Sequence, residues 1–243
     1  MEMIIQLLLP FFFHFFISET VYLLFGNTFG ATVQTMLVCL LTLPVLIWWR
    51  RKDLSVGLKN NPKNYLKNNP ENYLENNPEK NLNNQKSGFK FSSKAEQTSD
   101  EKRRKVIHCV LWTLTGAAAN FILSSIFKLL PFVKDPMEGI QGQLLSGSIP
   151  LQLLTLVVLV PVTEEILFRG LLYCRTAKLA PKWLAAILTA GMFALYHGNL
   201  QQAVFAFPMG LLLAFAIEKE QALSGPVCVH MGSNLAAVLW AIL

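Results

Sequence analysis

The sequence predicts an all-α fold, a polytopic membrane helix bundle of about seven transmembrane helices. Three observations lead there. Hydrophobic residues make up 53% of the 243 and charged residues 15%, against roughly a quarter charged in an ordinary soluble domain. Mean hydropathy is +0.40, and the apolar residues fall in long runs that a soluble globule of this size could not bury. The net charge of +6 is also localised. Residues 50–105 hold 14 Lys/Arg and 7 Asp/Glu, and the rest of the chain is close to neutral. Such a segment reads as a cytoplasmic, positive-inside loop and not as a nucleic-acid face. Four cysteines, Cys39, Cys109, Cys174 and Cys228, stand singly in apolar stretches without C-x-x-C spacing. A disulfide scaffold is thereby excluded.

Residues 3–25 are nearly all apolar, with six Phe. Met1-Glu2-Met3 lacks the basic start of a signal peptide, so the run is expected to be an uncleaved membrane helix. Gly26-Asn27 turns the chain into a second span, 30–49, which ends at Trp48-Trp49-Arg50-Arg51-Lys52. Tryptophans followed by a basic cluster mark a cytoplasmic boundary. These two helices form a first region, 1–52.

A linker follows, 53–105. Its octamer Asn60-Asn61-Pro62-Lys63-Asn64-Tyr65-Leu66-Lys67 recurs at Asn68–Glu75 and decays from Asn76 on. Asn-Asn-Pro breaks helices, and one Tyr-Leu pair per unit cannot make a core, so residues 53–101 are expected to be disordered. They are also expected to be dispensable. Deletion of 58–95 with both basic clusters kept should leave membrane insertion and activity intact, and loss of either would refute this.

The third region, 106–243, holds five more spans: 106–130, a long helical stretch 149–177, then 183–198, 203–217 and 226–242. Counted from a cytoplasmic N-terminus, the basic segments 50–52, 102–105 and 175–182 all fall inside, as the positive-inside rule requires.

Within these spans a few polar residues stand out, because a charge at membrane depth costs a few kcal/mol and marks a functional site by default. The first cluster is Glu164-Glu165-Ile166-Leu167-Phe168-Arg169. On a helix Glu165 and Arg169 are i and i+4 and can pair, while Glu164 lies about 100° round and faces elsewhere. One carboxylate is neutralised and the other is left as a general base. The second cluster is Phe193…His197 and the third His230…Asn234, again i and i+4. Glu164 lies 14 residues before the basic turn 178–182 and His197 15 residues after it. Those positions meet at similar depth, roughly 20 Å, in an antiparallel pair. His230 lies 11 residues after Lys219 and reaches toward it from that turn, and Glu164 is expected to find its partner in His197.

The three motifs, in this order on successive apolar helices, resemble the CPBP family of intramembrane proteases. That family includes the type II CAAX prenyl endopeptidases and bacterial abortive-infection or bacteriocin-immunity-type proteins. Its pattern, E-E-x-x-x-R, then F-x-x-x-H, then H-x-x-x-N, is met here without substitution, and the resemblance covers about residues 106–243. It implies peptide-bond hydrolysis in the membrane. Glu164 with His197 would activate water, and His230 with Asn234 would stabilise the oxyanion or help bind a metal. Glu165, Arg169 and Phe193 would support the site. A divalent metal such as zinc, held by His197 and His230, is the one cofactor the pattern admits, though no H-E-x-x-H is present and the residues do not decide between metal and glutamate chemistry. The implied partners are the lipid bilayer and a peptide or protein substrate, prenylated in the best-known branch, with no nucleic acid. The rival reading is a catalytically silent membrane binding or immunity-type protein on the same fold. A small transporter would show two similar halves with broken helices, and none appear.

Overall fold

The computed structural model describes residues 2–60, 94–127, 143–144 and 148–242. It is helical throughout, with no strand among the described residues. In chain order the helices are α1 (Glu2–Phe25), α2 (Ala31–Asn60), α3 (Lys94–Phe127), α4 (Ile149–Thr176), α5 (Lys182–Tyr196), α6 (Leu200–Glu220) and α7 (Ser224–Ile242). All but α5 are long and apolar enough to cross a membrane. The 15 residues of α5 span about 22 Å, short of the roughly 30 Å hydrocarbon core.

The chain divides into two compact units, Met1–Ile47 with Ile107–Leu243, and Trp48–Val106. In the second, the Lys52 ammonium lies 5.4 Å from the centre of the Trp48 ring, and Lys105 pairs with Glu101 one turn away at 2.6 Å. The octamer repeats, and with them most of the expected disorder, lie outside the described residues. At the edges of that linker the structure differs from expectation, since α2 continues to Asn60 and α3 begins at Lys94. The reason is local. Between Asp53 and Asn60 there is no proline to stop the helix. Lys94–Lys105 contains neither Gly nor Pro.

In the first unit α4 is the enclosed helix. Half of its most apolar window is buried, against 6% for α3. Its second half is buried all round: Glu165, Leu167, Phe168, Arg169, Leu171 and Leu172 are each at most 1% exposed. A helix apolar on every side belongs in the middle of a bundle. The helices α5 and α6 pack along each other as a hairpin, α7 packs against α6 and α4, and α1 packs against the second half of α4. Two ties hold the far ends. Tyr173 donates to Glu218 at 2.9 Å, and Lys182 pairs with the same carboxylate.

The helix α4 is not uniform. Leu153–Leu159 and Ile166–Tyr173 are π-helical, and the six residues Val160–Glu165 between them are α-helical. Pro161 sits at the first junction. In the π register Val160 donates to the carbonyl of Thr155. The next such bond would run from residue 161 to Leu156, and proline has no N–H to give. The Leu156 carbonyl is therefore available, and Asn234 of α7 donates to it at 2.8 Å.

Candidate functional site

Each motif sits where the backbone changes character. Glu164 and Glu165 end the α-helical piece between the two π segments, a place where π turns often accompany function. His197 caps α5. Gly198, with φ of 72°, closes that helix in the left-handed region, and Asn199 opens α6 by accepting from the Gln202 N–H at 2.8 Å. Glycine at the close and asparagine at the opening are what this tight hairpin needs. His230 and Asn234 lie on one face of α7.

Glu165 is the anchor. Its Oε1 accepts from Arg169 Nη1 at 3.0 Å and from His230 Nδ1 at 2.8 Å. Arg169 is 1% exposed, and its Nη2 donates to the Gly210 carbonyl at 3.2 Å. The i, i+4 pair expected from spacing is thus formed, with His230 added to it. The carboxylate fixes the imidazole with its proton on Nδ1, leaving Nε2 for other work.

Glu164 is buried, and its Oε2 makes no hydrogen bond. The basic partner of this oxygen is His230 Nε2, at 3.8 Å. This corrects the expected pairing with His197, which depth alone suggested. His197 instead directs Nδ1 to the Phe193 carbonyl at 2.7 Å, so that its Nε2 is also left over. Phe193 separates the two imidazoles and meets both edge to face, His197 at 4.9 Å and His230 at 5.9 Å between ring centres. Its ring also carries the Arg169 guanidinium, 4.5 Å from the centre.

A small cavity of about 60 Å³ is lined by His197, His230, Ser233 and Asn234 together with Phe193, Phe205, Met209 and Leu213. It has room for a few water molecules. The histidines and the asparagine of the two later motifs therefore do converge, with Glu164 beside His230. The donor set does not fit a zinc centre, which takes at least three protein ligands. Among the described residues no three His, Cys, Asp or Glu side chains cluster in that way. Each Nδ1 is engaged, one with Glu165 and the other with a backbone carbonyl, and each Nε2 stays open, so what the site lacks is a third ligand. Chelation with 1,10-phenanthroline is accordingly expected to leave turnover unchanged, and inactivation reversed by added zinc would show otherwise.

Sequence reasoning missed the contribution of the first two helices. His14 is buried, with Nδ1 3.0 Å from Thr42 Oγ1 and Nε2 2.7 Å from the hydroxyl of Tyr196, the neighbour of His197. Phe11 packs edge-on against both Phe168 and Tyr196. The signal was present, since His14 interrupts an apolar run at membrane depth.

Known proteins resemble the chain over the stretch that carries these motifs. Residues 146–236 match the model of the family described as type II CAAX prenyl endopeptidase Rce1-like. A UPF0177 protein, YbdI, of Lactococcus lactis subsp. lactis (strain IL1403) is 27% identical over 143 residues, covering 55% of this chain and 77% of its own length. An uncharacterized 24.3 kDa protein of Escherichia coli is 32% identical over 145 residues, covering 54% of this chain and 64% of its own. No solved structure matches. Residues 146–236, which carry all three motifs, are thus similar to the type II CAAX prenyl endopeptidase Rce1-like family, in a chain with six described helices long and apolar enough to cross a membrane.

Proposed function

We propose that the protein is an intramembrane endopeptidase in which Glu164 activates the attacking water. The observation that supports this best is the carboxylate itself. Glu164 is buried among apolar helices with one oxygen unbonded, while Glu165 beside it takes the counter-charge. A lone carboxylate at this depth is costly and is kept where chemistry needs it. The 3.8 Å gap to His230 Nε2 allows one water to hydrogen-bond both groups. Glu164 takes a proton from that water as its oxygen attacks the peptide carbonyl carbon. The proton passes to the departing amide nitrogen, the C–N bond breaks, and Glu164 is restored. His197 Nε2, free of the bond that holds Nδ1, faces the same task from the cavity wall.

The family resemblance supports a peptide presented at the membrane as substrate, with a prenylated C-terminal Cys-aliphatic-aliphatic-X segment as the first candidate. The basic clusters at 50–52 and 102–105 support a cytoplasmic side for residues 50–105 and for the N-terminus. A silent binding protein on the same fold would have no use for a second buried carboxylate beside the one that Arg169 neutralises.

The test is a cleavage assay on purified protein in detergent. The substrate is an internally quenched, farnesylated peptide ending in that segment, with its unprenylated twin, and wild type is compared with Glu164→Ala. Cleavage by wild type that Glu164→Ala abolishes is expected. Cleavage of neither peptide, or equal cleavage by both proteins, would sink the proposal.

A further inference from the structure

The reaction proposed above develops negative charge on the carbonyl oxygen of the substrate, and a donor must meet it. Asn234 has the right chemistry: its Nδ2 gives one N–H to the Leu156 carbonyl that Pro161 leaves open and keeps the other. We propose that a further donor beside it is the hydroxyl of Ser233, a residue outside the three motifs, held in place by Asn120 of α3. This assignment rests on the hydrolytic reading of the site.

Three observations carry it. Ser233 is 3% exposed and lines the cavity with His197 and His230. Asn120 Nδ2 donates to Ser233 Oγ at 3.2 Å, so the serine oxygen accepts, and its own proton remains to be given. Among the described residues no acceptor takes it.

The third is a contrast with other helical hydroxyls of this chain. Thr42, Thr113, Thr115, Ser125, Thr176 and Thr189 each return the proton to the carbonyl four residues back, at 2.8 Å. For Ser233 that carbonyl belongs to Val229, and the backbone of Gly116 lies against it. A Cβ at 116 would fall 1.8 Å from the Val229 oxygen. The hydroxyl is therefore held from α3 and kept off its own helix, beside two imidazoles, in a cavity the size of a few waters. His230, which lines that cavity, has its Nε2 3.8 Å from Glu164 Oε2, so a carbonyl attacked by a water between the two groups comes to the same cavity. Ser233 is the catalytic donor and Asn120 a positioning residue that acts through it.

The test uses the quenched farnesylated peptide on full-length protein, with kcat, KM and melting temperature measured for each variant. Ser233→Ala is expected to lower kcat by about 10²-fold, the lower end for loss of one oxyanion donor, with KM and melting temperature near wild type. Asn120→Ala should lower kcat less in the wild-type background and not at all in the Ser233→Ala background, because a residue acting through another has nothing left to act on. An unchanged kcat in Ser233→Ala, a loss that tracks the melting temperature, or additive effects of the two changes would each overturn the assignment. A peptide cut by wild type, spared by Glu164→Gln and cut at full rate by Ser233→Ala defeats the donor role alone. Failure of wild type to show Glu164-dependent cleavage defeats the proposed function, and the donor role with it.

Discussion

Glu165→Gln is expected to cost the protein its fold, whereas Glu164→Gln is expected to cost it turnover alone. The two glutamates are adjacent and of one chemical type, so their surroundings set the difference. Glu165 Oε1 accepts from both Arg169 and His230 at 3.0 and 2.8 Å, in a place 0–1% exposed for carboxylate and guanidinium alike. An amide there can still offer one oxygen to both donors but removes the counter-charge of the buried guanidinium. Breaking a buried pair by removing one partner typically costs about 3–5 kcal/mol, a large share of the stability of most domains. Yield and melting temperature of Glu165→Gln should both drop. Glu164 has no such bond to lose at Oε2. Its glutamine keeps the shape and cannot take a proton from water, so turnover should fall by about 10²–10⁴-fold, the usual worth of a general base. Turnover per folded molecule, measured for the two variants side by side, separates the roles. A folded but inactive Glu165→Gln beside an active Glu164→Gln would exchange them.

Much of this division was legible in the sequence, because an i, i+4 ion pair depends on one helix only. The spans, the three motifs and the tie between Glu165 and Arg169 needed nothing beyond helical spacing. The partner of Glu164 did not follow, for a physical reason. Depth placed both His197 and His230 within reach, and the choice depends on how each ring is held, His230 by Glu165 and His197 by the Phe193 carbonyl. The π turns on either side of Val160–Glu165 compound the difficulty. They change the angular register of α4, and a count at 3.6 residues per turn cannot see them. Pro161 was visible and its consequence was not, since the acceptor it leaves open is read only once Asn234 is seen to fill it. The part played by α1 and α3 was hidden differently. His14 and Asn120 belong to no motif, and what they do is set by Tyr196 and Ser233, which lie 182 and 113 residues away in sequence.

Alanine at Gly116 or Gly232 is expected to unfold the bundle at the face where the site is built, while alanine at Gly191 should be tolerated. All three glycines lie inside helices, where Gly→Ala by propensity alone stabilises by up to about 1 kcal/mol. Packing reverses the sign at two of them. The helices α3 and α7 approach closely enough that a Cβ at Gly232 would stand 2.0 Å from the Thr113 carbonyl oxygen, and one at Gly116 1.8 Å from that of Val229. The obstacles are backbone atoms, which cannot swing aside as a side chain can, so one helix must move from the other. Within a bilayer, helix contact depends on such close approach, because lipid supplies no hydrophobic drive to bring helices together. The same separation would pull Asn120 from Ser233 and shift the helix that carries His230 and Asn234, so activity should fall with stability and in proportion to it. At Gly191 in α5 an added Cβ meets nothing within 4 Å, and the propensity term stands alone. Melting curves in detergent for the three alanine variants decide the matter. Equal, small effects at all three positions would mean that α3 and α7 are not held at this distance, and the placement of Asn120 over Ser233 would fall with that contact.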